Sequence, residues 1–156
     1  ILREIISAAE ILEEEYGIAV DIWSVTSFNE LRREALSVER WNNLNPEKNR
    51  RKSYFTSQIE NSEGPIIAAT DYVKLYPDQV RSFIPHGRAF ATLGTDGYGR
   101  SDTRKKLRSF FEVDSNFIVF SSIKTLWDQQ LISVEKVQQA MKNCKLDSEK
   151  LDPAKI

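Results

Sequence analysis

The sequence predicts an α/β protein in which a mostly parallel sheet lies between layers of helices. Short apolar, β-branched runs alternate with longer segments that repeat apolar residues every three or four positions. This alternation is typical of parallel strands joined by helical crossovers on both faces of a sheet. At 156 residues, the chain has the size of one domain.

Two helices are clearly marked in the first part of the chain. Apolar residues recur at helical spacing over residues 2–16, and Gly17 follows where a left-handed residue commonly ends a helix. A second helix is predicted over residues 28–43. Ser27 precedes it as a cap, and Glu30 stands three positions later, which is the spacing of a capping box.

Three short runs predict the strands. Residues 18–25 read Ile-Ala-Val-Asp-Ile-Trp-Ser-Val and residues 66–70 read Ile-Ile-Ala-Ala-Thr, as expected for strands buried on both faces. Residues 89–94 are less apolar but short and bounded by glycine. Because the chain opens on a helix rather than a strand, we expect the sheet to lack its first strand.

The remaining elements are helices and one prominent loop. Residues 46–53 are polar and basic, which predicts an exposed loop or, alternatively, a contact with an acidic partner. The other helices are predicted over residues 54–61, 72 or 74 to 83, 101 or 102 to 111, 116–130 and 134–143. A polar tail is expected at residues 147–156.

Composition excludes several functional classes. The formal net charge is −1, and nucleic-acid affinity depends largely on neutralising phosphates, so general nucleic-acid binding is not expected. No apolar run approaches the 18 residues that cross a membrane. A single cysteine, Cys144, fits a reducing compartment, and we expect a cytoplasmic protein. With one histidine, His86, the chain lacks an ordinary zinc site.

Residues 94–104 form the most unusual passage, Gly-Thr-Asp-Gly-Tyr-Gly-Arg-Ser-Asp-Thr-Arg. Backbone amides in such a turn can hold an anion. The glycine order differs, however, from the G-x-G-x-x-G dinucleotide fingerprint. The passage is therefore either a phosphate-binding or nucleotide-binding turn, or a tight loop packed against another domain or subunit.

Charged residues near the strand ends complete the candidate site. Arg100, Arg104 and Arg108 would share one helix face if the helix reached back to Arg100, and would then face an acidic partner, a phosphate or solvent. Carboxylates after strands lie where α/β sheets place ligands, although they also cap helices. The candidate interface or loop residues are Asp71, Tyr72, Asp96, Gly97, Tyr98, Gly99, Arg100, Ser101, Asp102 and Arg104. No catalytic residue is assigned, and these residues alone name no reaction.

Four blocks of sequence carry a family resemblance. They are Asp-Ile-Trp-Ser-Val-Thr-Ser-Phe at 21–28, Glu-Arg-Trp-Asn at 39–42, Ala-Thr-Asp-Tyr at 69–72, and Leu-Gly-Thr-Asp-Gly-Tyr-Gly-Arg-Ser-Asp-Thr-Arg at 93–104. Across essentially its whole length, the chain resembles the C-terminal domain of the homodimeric pyruvate dehydrogenase decarboxylase component. The final Arg-Ser-Asp-Thr-Arg is closer to this family than to the related transketolases.

The resemblance implies a transketolase-like C-terminal fold, with a mostly parallel five-stranded sheet and helices on both faces. It implies a parent homodimer whose two upstream domains bind thiamine diphosphate and magnesium. That parent decarboxylates pyruvate and acetylates the lipoyl group of the acetyltransferase component.

We therefore expect residues 1–156 to be a single C-terminal domain, truncated on its N-terminal side, that supports dimer and interdomain packing. Alone, it is expected to bind no cofactor and to have no decarboxylase activity. The alternatives are a stand-alone anion-binding or nucleotide-binding α/β module, and a domain of another thiamine enzyme such as transketolase.

Overall fold

A computed structural model describes all residues from 1 to 156 and contains seven α-helices and two β-strands. The helices are α1 (Leu2–Tyr16), α2 (Phe28–Leu44), α3 (Tyr54–Ile59), α4 (Leu75–Asp78), α5 (Arg104–Phe110), α6 (Ser115–Asp128) and α7 (Val134–Asn143). The strands are β1 (Ile66–Ala69) and β2 (Phe90–Leu93), and short 3₁₀ helices cover Arg81–Phe83 and Pro153–Lys155. None of the helices combines the length and apolar character needed to cross a membrane.

Local capping signals end the first helix and begin the second where the sequence predicts. Gly17 adopts a left-handed conformation with φ of 65°, and its N–H donates to the carbonyl of Glu13. The Ser27 side-chain oxygen accepts a hydrogen bond from the N–H of Glu30 at 3.2 Å. Both contacts satisfy backbone groups that a helix end otherwise leaves unpaired.

The sheet is parallel and lies between two apolar clusters. β1 pairs with β2 in a register that sets Ile66 opposite Phe90 and Ala69 opposite Leu93. The first pair packs with buried residues such as Phe55, while the second packs against the cluster of α1, α6 and α7. Since residues an odd number apart point to opposite faces of a strand, the two clusters cover opposite faces. The α/β class with flanking helices is thus confirmed, with a sheet of two strands rather than five.

The prediction of a strand over residues 18–25 is wrong. This segment has no regular secondary structure, and the backbone groups of residues 19–26 make no hydrogen bond within the chain. Strand conformation is stabilised by pairing with a neighbour, and no neighbour lies within hydrogen-bonding distance. The segment instead lines a cavity of about 860 Å³ whose opposite wall is formed by β1.

The helix predicted up to residue 83 is shorter and interrupted. It forms the single turn α4, followed by the 3₁₀ turn Arg81–Phe83. Pro77 lies within that turn and has no N–H to donate, which limits the hydrogen bonds available for extending the helix. Leu75, at the start of α4, is 72% exposed.

Candidate functional site

The loops that follow the two strands are joined by direct hydrogen bonds. The N–H of Thr95 donates to the carbonyl of Tyr72 at 2.8 Å, and the Thr95 hydroxyl donates to the carbonyl of Asp71 at 2.9 Å. In return, the N–H of Lys74 donates to the Asp96 carboxylate at 2.9 Å. The structure therefore brings together the candidates that follow β1 and β2, as parallel pairing requires.

Gly94 permits this close approach of the two loops. A Cβ atom at this position would lie 2.7 Å from both the carbonyl oxygen of Tyr72 and the backbone nitrogen of Lys74. Both are main-chain atoms that take part in the loop structure and cannot swing aside as a side chain does. A glycine at this strand end is thus required by packing.

The variant Gly94→Ala is expected to lower the free energy of unfolding by about 1–3 kcal/mol, because the new methyl group forces these loops apart. Gly99→Ala is the matched control, since a Cβ atom at Gly99 would meet no other atom within 4 Å and its φ is not positive. Urea unfolding of both variants measures the difference. Equal stability of the two variants would contradict the packing requirement.

Gly97 contacts the C-terminal tail, which sequence reasoning did not connect with this loop. Its φ is 107°, and a Cβ atom would lie 2.7 Å from the carbonyl oxygen of Pro153. Pro153 is buried in the short helix Pro153–Lys155. The polar tail is therefore a support beneath the glycine loop, formed by residues 56 positions away along the chain.

An ion-pair network secures the end of β1. Arg108 has a side chain only 13% exposed, and it donates to Asp71 at 3.0 and 3.2 Å and to Glu4 at 3.1 Å. The other Glu4 oxygen accepts from the N–H of Ser115 at 3.1 Å. The network joins α1, α5 and α6 to the loop after β1. Glu4 and Arg108 are 104 residues apart, so no sequence spacing indicated this pair.

The network also sets the protonation of Asp71. Partial burial by itself raises the pKa of this carboxyl, whereas the hydrogen bonds and the positive charge of Arg108 lower it. The pKa of Asp71 is therefore lowered from its ordinary value. Asp71 is a charged structural anchor, which differs from a carboxyl poised for proton transfer near neutral pH.

The condition under which Arg100, Arg104 and Arg108 would share one helix face is not met. α5 begins at Arg104, so Arg100 lies in the preceding loop, where its guanidinium is 4.9 Å from the Phe110 ring centroid. Arg108 points inward to its carboxylate partners, and Arg104 is exposed without an ion pair. The extended conformation of Thr103, with φ of −63° and ψ of 148°, ends the loop and starts the helix.

The remaining candidates lie on the exposed side of the same loop. Tyr98 is 82% exposed and Tyr72 is 67% exposed. The Asp102 carboxylate accepts from the N–H of Thr103 and lies 3.8 Å from the Lys106 amine. Gly99 and Ser101 are exposed. These residues form an open surface with aromatic and charged side chains, in contrast to an enclosed ligand pocket.

No set of three or more histidine, cysteine or acidic side chains is arranged to hold a metal ion. Two amides of the strand-end loops, those of Thr95 and Lys74, are already used in internal hydrogen bonds. These two amides are therefore not free to hold an anion.

Comparison with known proteins identifies the family. Residues 1–114 match the family described as the transketolase-like C-terminal domain. The chain belongs to this family. The helices flanking a small parallel sheet, described above, are consistent with this family.

Relatives extend this similarity beyond the family match. Over 153 residues, 98% of the chain, it is 47% identical to the pyruvate dehydrogenase E1 component of Pseudomonas aeruginosa and 42% identical to that of Escherichia coli. It is 44% identical over all 156 residues to the E1 component of Cupriavidus necator. This transketolase-like domain spans only 17% of the length of each of these relatives.

Proposed function

We propose that this transketolase-like domain is the C-terminal domain of a homodimeric pyruvate dehydrogenase decarboxylase component. The parent would decarboxylate pyruvate and transfer the acetyl group to the lipoyl group of an acetyltransferase component. Identity of 47% over 98% of the chain to the E1 component of Pseudomonas aeruginosa supports this parent. Thiamine diphosphate and magnesium supply the decarboxylation chemistry in such an enzyme and would be held by its other domains.

Within that parent, the proposed role of the domain is to pack against the rest of the chain and the dimer partner. The observation that carries this role is the slot, defined as the cavity of about 860 Å³ between β1 and residues 18–25. Of its 38 lining residues, 25 are hydrophobic, which favours an apolar occupant. Because the slot separates residues 18–25 from β1, this strand-like segment has no neighbouring strand to pair with.

Backbone groups on both walls of the slot support an extended occupant. Ile66 and Thr70 direct their N–H groups toward β2. In a parallel ladder alternate residues face the same neighbour, so Ile67 and Ala69 direct theirs toward the slot. With the unpaired residues 19–26 opposite, a strand lying between these walls would be hydrogen-bonded on both edges.

The exposed surface of the chain supports the same proposal. The accessible area is 10,489 Å², whereas a compact monomer of 18.0 kDa has about 8,000 Å². The α1 end of the slot lies beside Asp71, at the carboxyl end of β1, where the nitrogen atom of Ile1 is 2.8 Å from the carboxylate. A parallel strand filling the slot would end there and lead directly into α1. We infer that a segment preceding α1 in the parent completes the sheet.

The exposed residues that follow the carboxyl ends of β1 and β2 are proposed to face neighbouring parts of the parent homodimer or the acetyltransferase component. Their support is the exposure of Tyr72, Tyr98 and Arg104 beside an ordered loop. Exposed aromatic side chains of this kind are enriched where proteins associate. The slot and this edge would thus give the domain two packing surfaces.

The test compares the full-length protein with the 156-residue chain. With pyruvate, thiamine diphosphate and magnesium, the full-length protein is expected to release carbon dioxide, whereas the 156-residue chain is expected to release none. Absence of turnover in the full-length protein, or turnover by the short chain, would contradict the proposed enzyme and domain assignment.

Amide hydrogen exchange tests the slot separately. The amides of Ile67 and Ala69 are expected to exchange slowly in the full-length protein and much faster in the 156-residue chain, because only the former provides the pairing strand. The amides of Ile66 and Thr70 are the control, since they are bonded on the β2 side in both. Equal exchange of Ile67 and Ala69 in the two proteins would contradict strand insertion.

A further inference from the structure

A second surface, remote in sequence from the strand-end loops, carries unpaired positive charge on an ordered scaffold. We define the basic loop as residues 46–52, which contain Lys48, Arg50, Arg51 and Lys52 and a single acidic residue. It connects α2 to α3 and is exposed throughout. Surface loops that are rich in cations are usually just solvated. The contacts that hold this loop in place therefore decide whether it is suited to bind a partner.

Asn42 fixes the loop through both ends of its side-chain amide. Its Nδ2 group donates to the carbonyl of Arg51 at 2.9 Å, and its Oδ1 atom accepts from the N–H of Arg51 at 2.8 Å. Asn45 adds a hydrogen bond to the carbonyl of Trp41 at 2.8 Å. The main chain at Arg51 is thereby held in one conformation, which reduces the entropy lost when a partner binds.

The Arg51 side chain is held in place, but its N–H donors bind no acceptor in the chain. Its guanidinium carbon lies 3.7 Å from the centroid of the Trp41 ring, and the Lys48 amine lies 5.8 Å from the same ring. No acceptor in the chain binds the guanidinium N–H groups of Arg51. A guanidinium that stacks on an indole keeps its planar fork of donors available for a carboxylate.

Some cations of the basic loop have a partner within the chain, and others have none. Lys52 is paired with Glu60, and Lys48 donates to the Asn45 side chain at 3.0 Å. Arg50 and Arg51 have no carboxylate partner. Two exposed apolar side chains flank the loop, Leu44 at 62% and Tyr54 at 61% exposure.

We propose that the basic loop, with Leu44 and Tyr54, is a docking surface for an acidic peptide segment of another protein. The partner supplies a carboxylate to the Arg51 fork and an apolar side chain to the flanking surface. Bidentate arginine–carboxylate pairs combine charge with directional hydrogen bonding, which suits recognition of a short acidic motif. The apolar flanks and the net charge of −1 favour a peptide over a nucleic acid. This proposal does not depend on the reaction of the parent enzyme.

The test uses the full-length protein and a fluorescein-labelled nine-residue peptide of three Glu-Glu-Leu units, with binding followed by anisotropy. Arg51→Gln is expected to weaken binding about tenfold or more, since a hydrogen bond to a charged group contributes about 1.5–3 kcal/mol. Arg51→Lys, which keeps the charge but loses the planar fork, is expected to lose most of the same affinity. Lys136→Glu on α7 is the control, because Lys136 is exposed and has no ion pair, and it is expected to bind like the unmodified protein.

Asn42→Ala separates an ordered docking surface from simple charge attraction. It keeps every cation but removes the two hydrogen bonds that hold the loop, and it is expected to weaken peptide binding severalfold. Circular dichroism verifies that each variant remains folded. The proposal is overturned if the peptide does not bind, if Lys136→Glu weakens binding as much as Arg51→Gln, or if a ten-nucleotide single-stranded DNA binds as tightly as the peptide.

Discussion

Ile123→Ala is expected to lower the free energy of unfolding by about 3–4 kcal/mol. Ile123 is 0% exposed and lies on α6, at the centre of the cluster that α1, α6 and α7 form beneath the sheet. Alanine removes buried methyl groups and leaves a cavity, because close-packed neighbours relax only partially. Urea unfolding followed by circular dichroism measures the change.

Two further variants of apolar residues calibrate this result. Ile123→Val removes a single methylene and is expected to cost about 1 kcal/mol. Leu131→Ala removes a side chain that is 60% exposed and is expected to change stability by less than about 0.5 kcal/mol. If Ile123→Ala cost no more than Leu131→Ala, α6 would not form the core of this domain.

Arg108→Met is expected to lower the free energy of unfolding by about 2–3 kcal/mol. The side chain of Arg108 is 13% exposed and donates to both Glu4 and Asp71, so its removal leaves the Glu4 carboxylate without a cation and takes two hydrogen bonds from Asp71. Breaking a fully buried pair costs about 3–5 kcal/mol. The expected value is smaller because Asp71 is 48% exposed and remains partly solvated.

Arg104→Met provides a matched control on the same helix. Arg104 is exposed and has no ion pair, so its replacement is expected to change stability by less than about 0.5 kcal/mol. In the double variant of Arg108→Met with Glu4→Gln, the combined loss is expected to be smaller than the sum of the separate losses, because the two residues share one contact. Additive losses would show that Arg108 acts without Glu4.

The helices were largely predictable because their signals are local. Apolar spacing, Ser27 as a cap and Gly17 as a left-handed terminus all act within a few residues of the helix they define. Such contacts join residues that are close in the sequence, so a single sequence reveals them. The proximity of the loops that contain Asp71 and Asp96 was also predictable, since parallel strands bring their carboxyl ends to one edge.

The strand prediction over residues 18–25 failed for a nonlocal reason. Its sequence has the β-branched, apolar character of a buried strand, yet a strand is stabilised by hydrogen bonds to a neighbour. In this chain residues 18–25 and β1 both line the slot and are not hydrogen-bonded to each other. Sequence character alone therefore indicates what a segment is suited to form, and the availability of a neighbour determines whether it forms.

The α/β class, most helix positions and the family resemblance can be inferred from one sequence, because they follow from local spacing and from motif residues. The contacts of Arg108 with Glu4 and of Gly97 with Pro153 emerge only when the chain is folded. The same holds for the stacking of Arg51 on Trp41 with its donors free. These contacts join residues whose proximity depends on how the helices pack around the sheet, and no periodic pattern in a single chain encodes that packing.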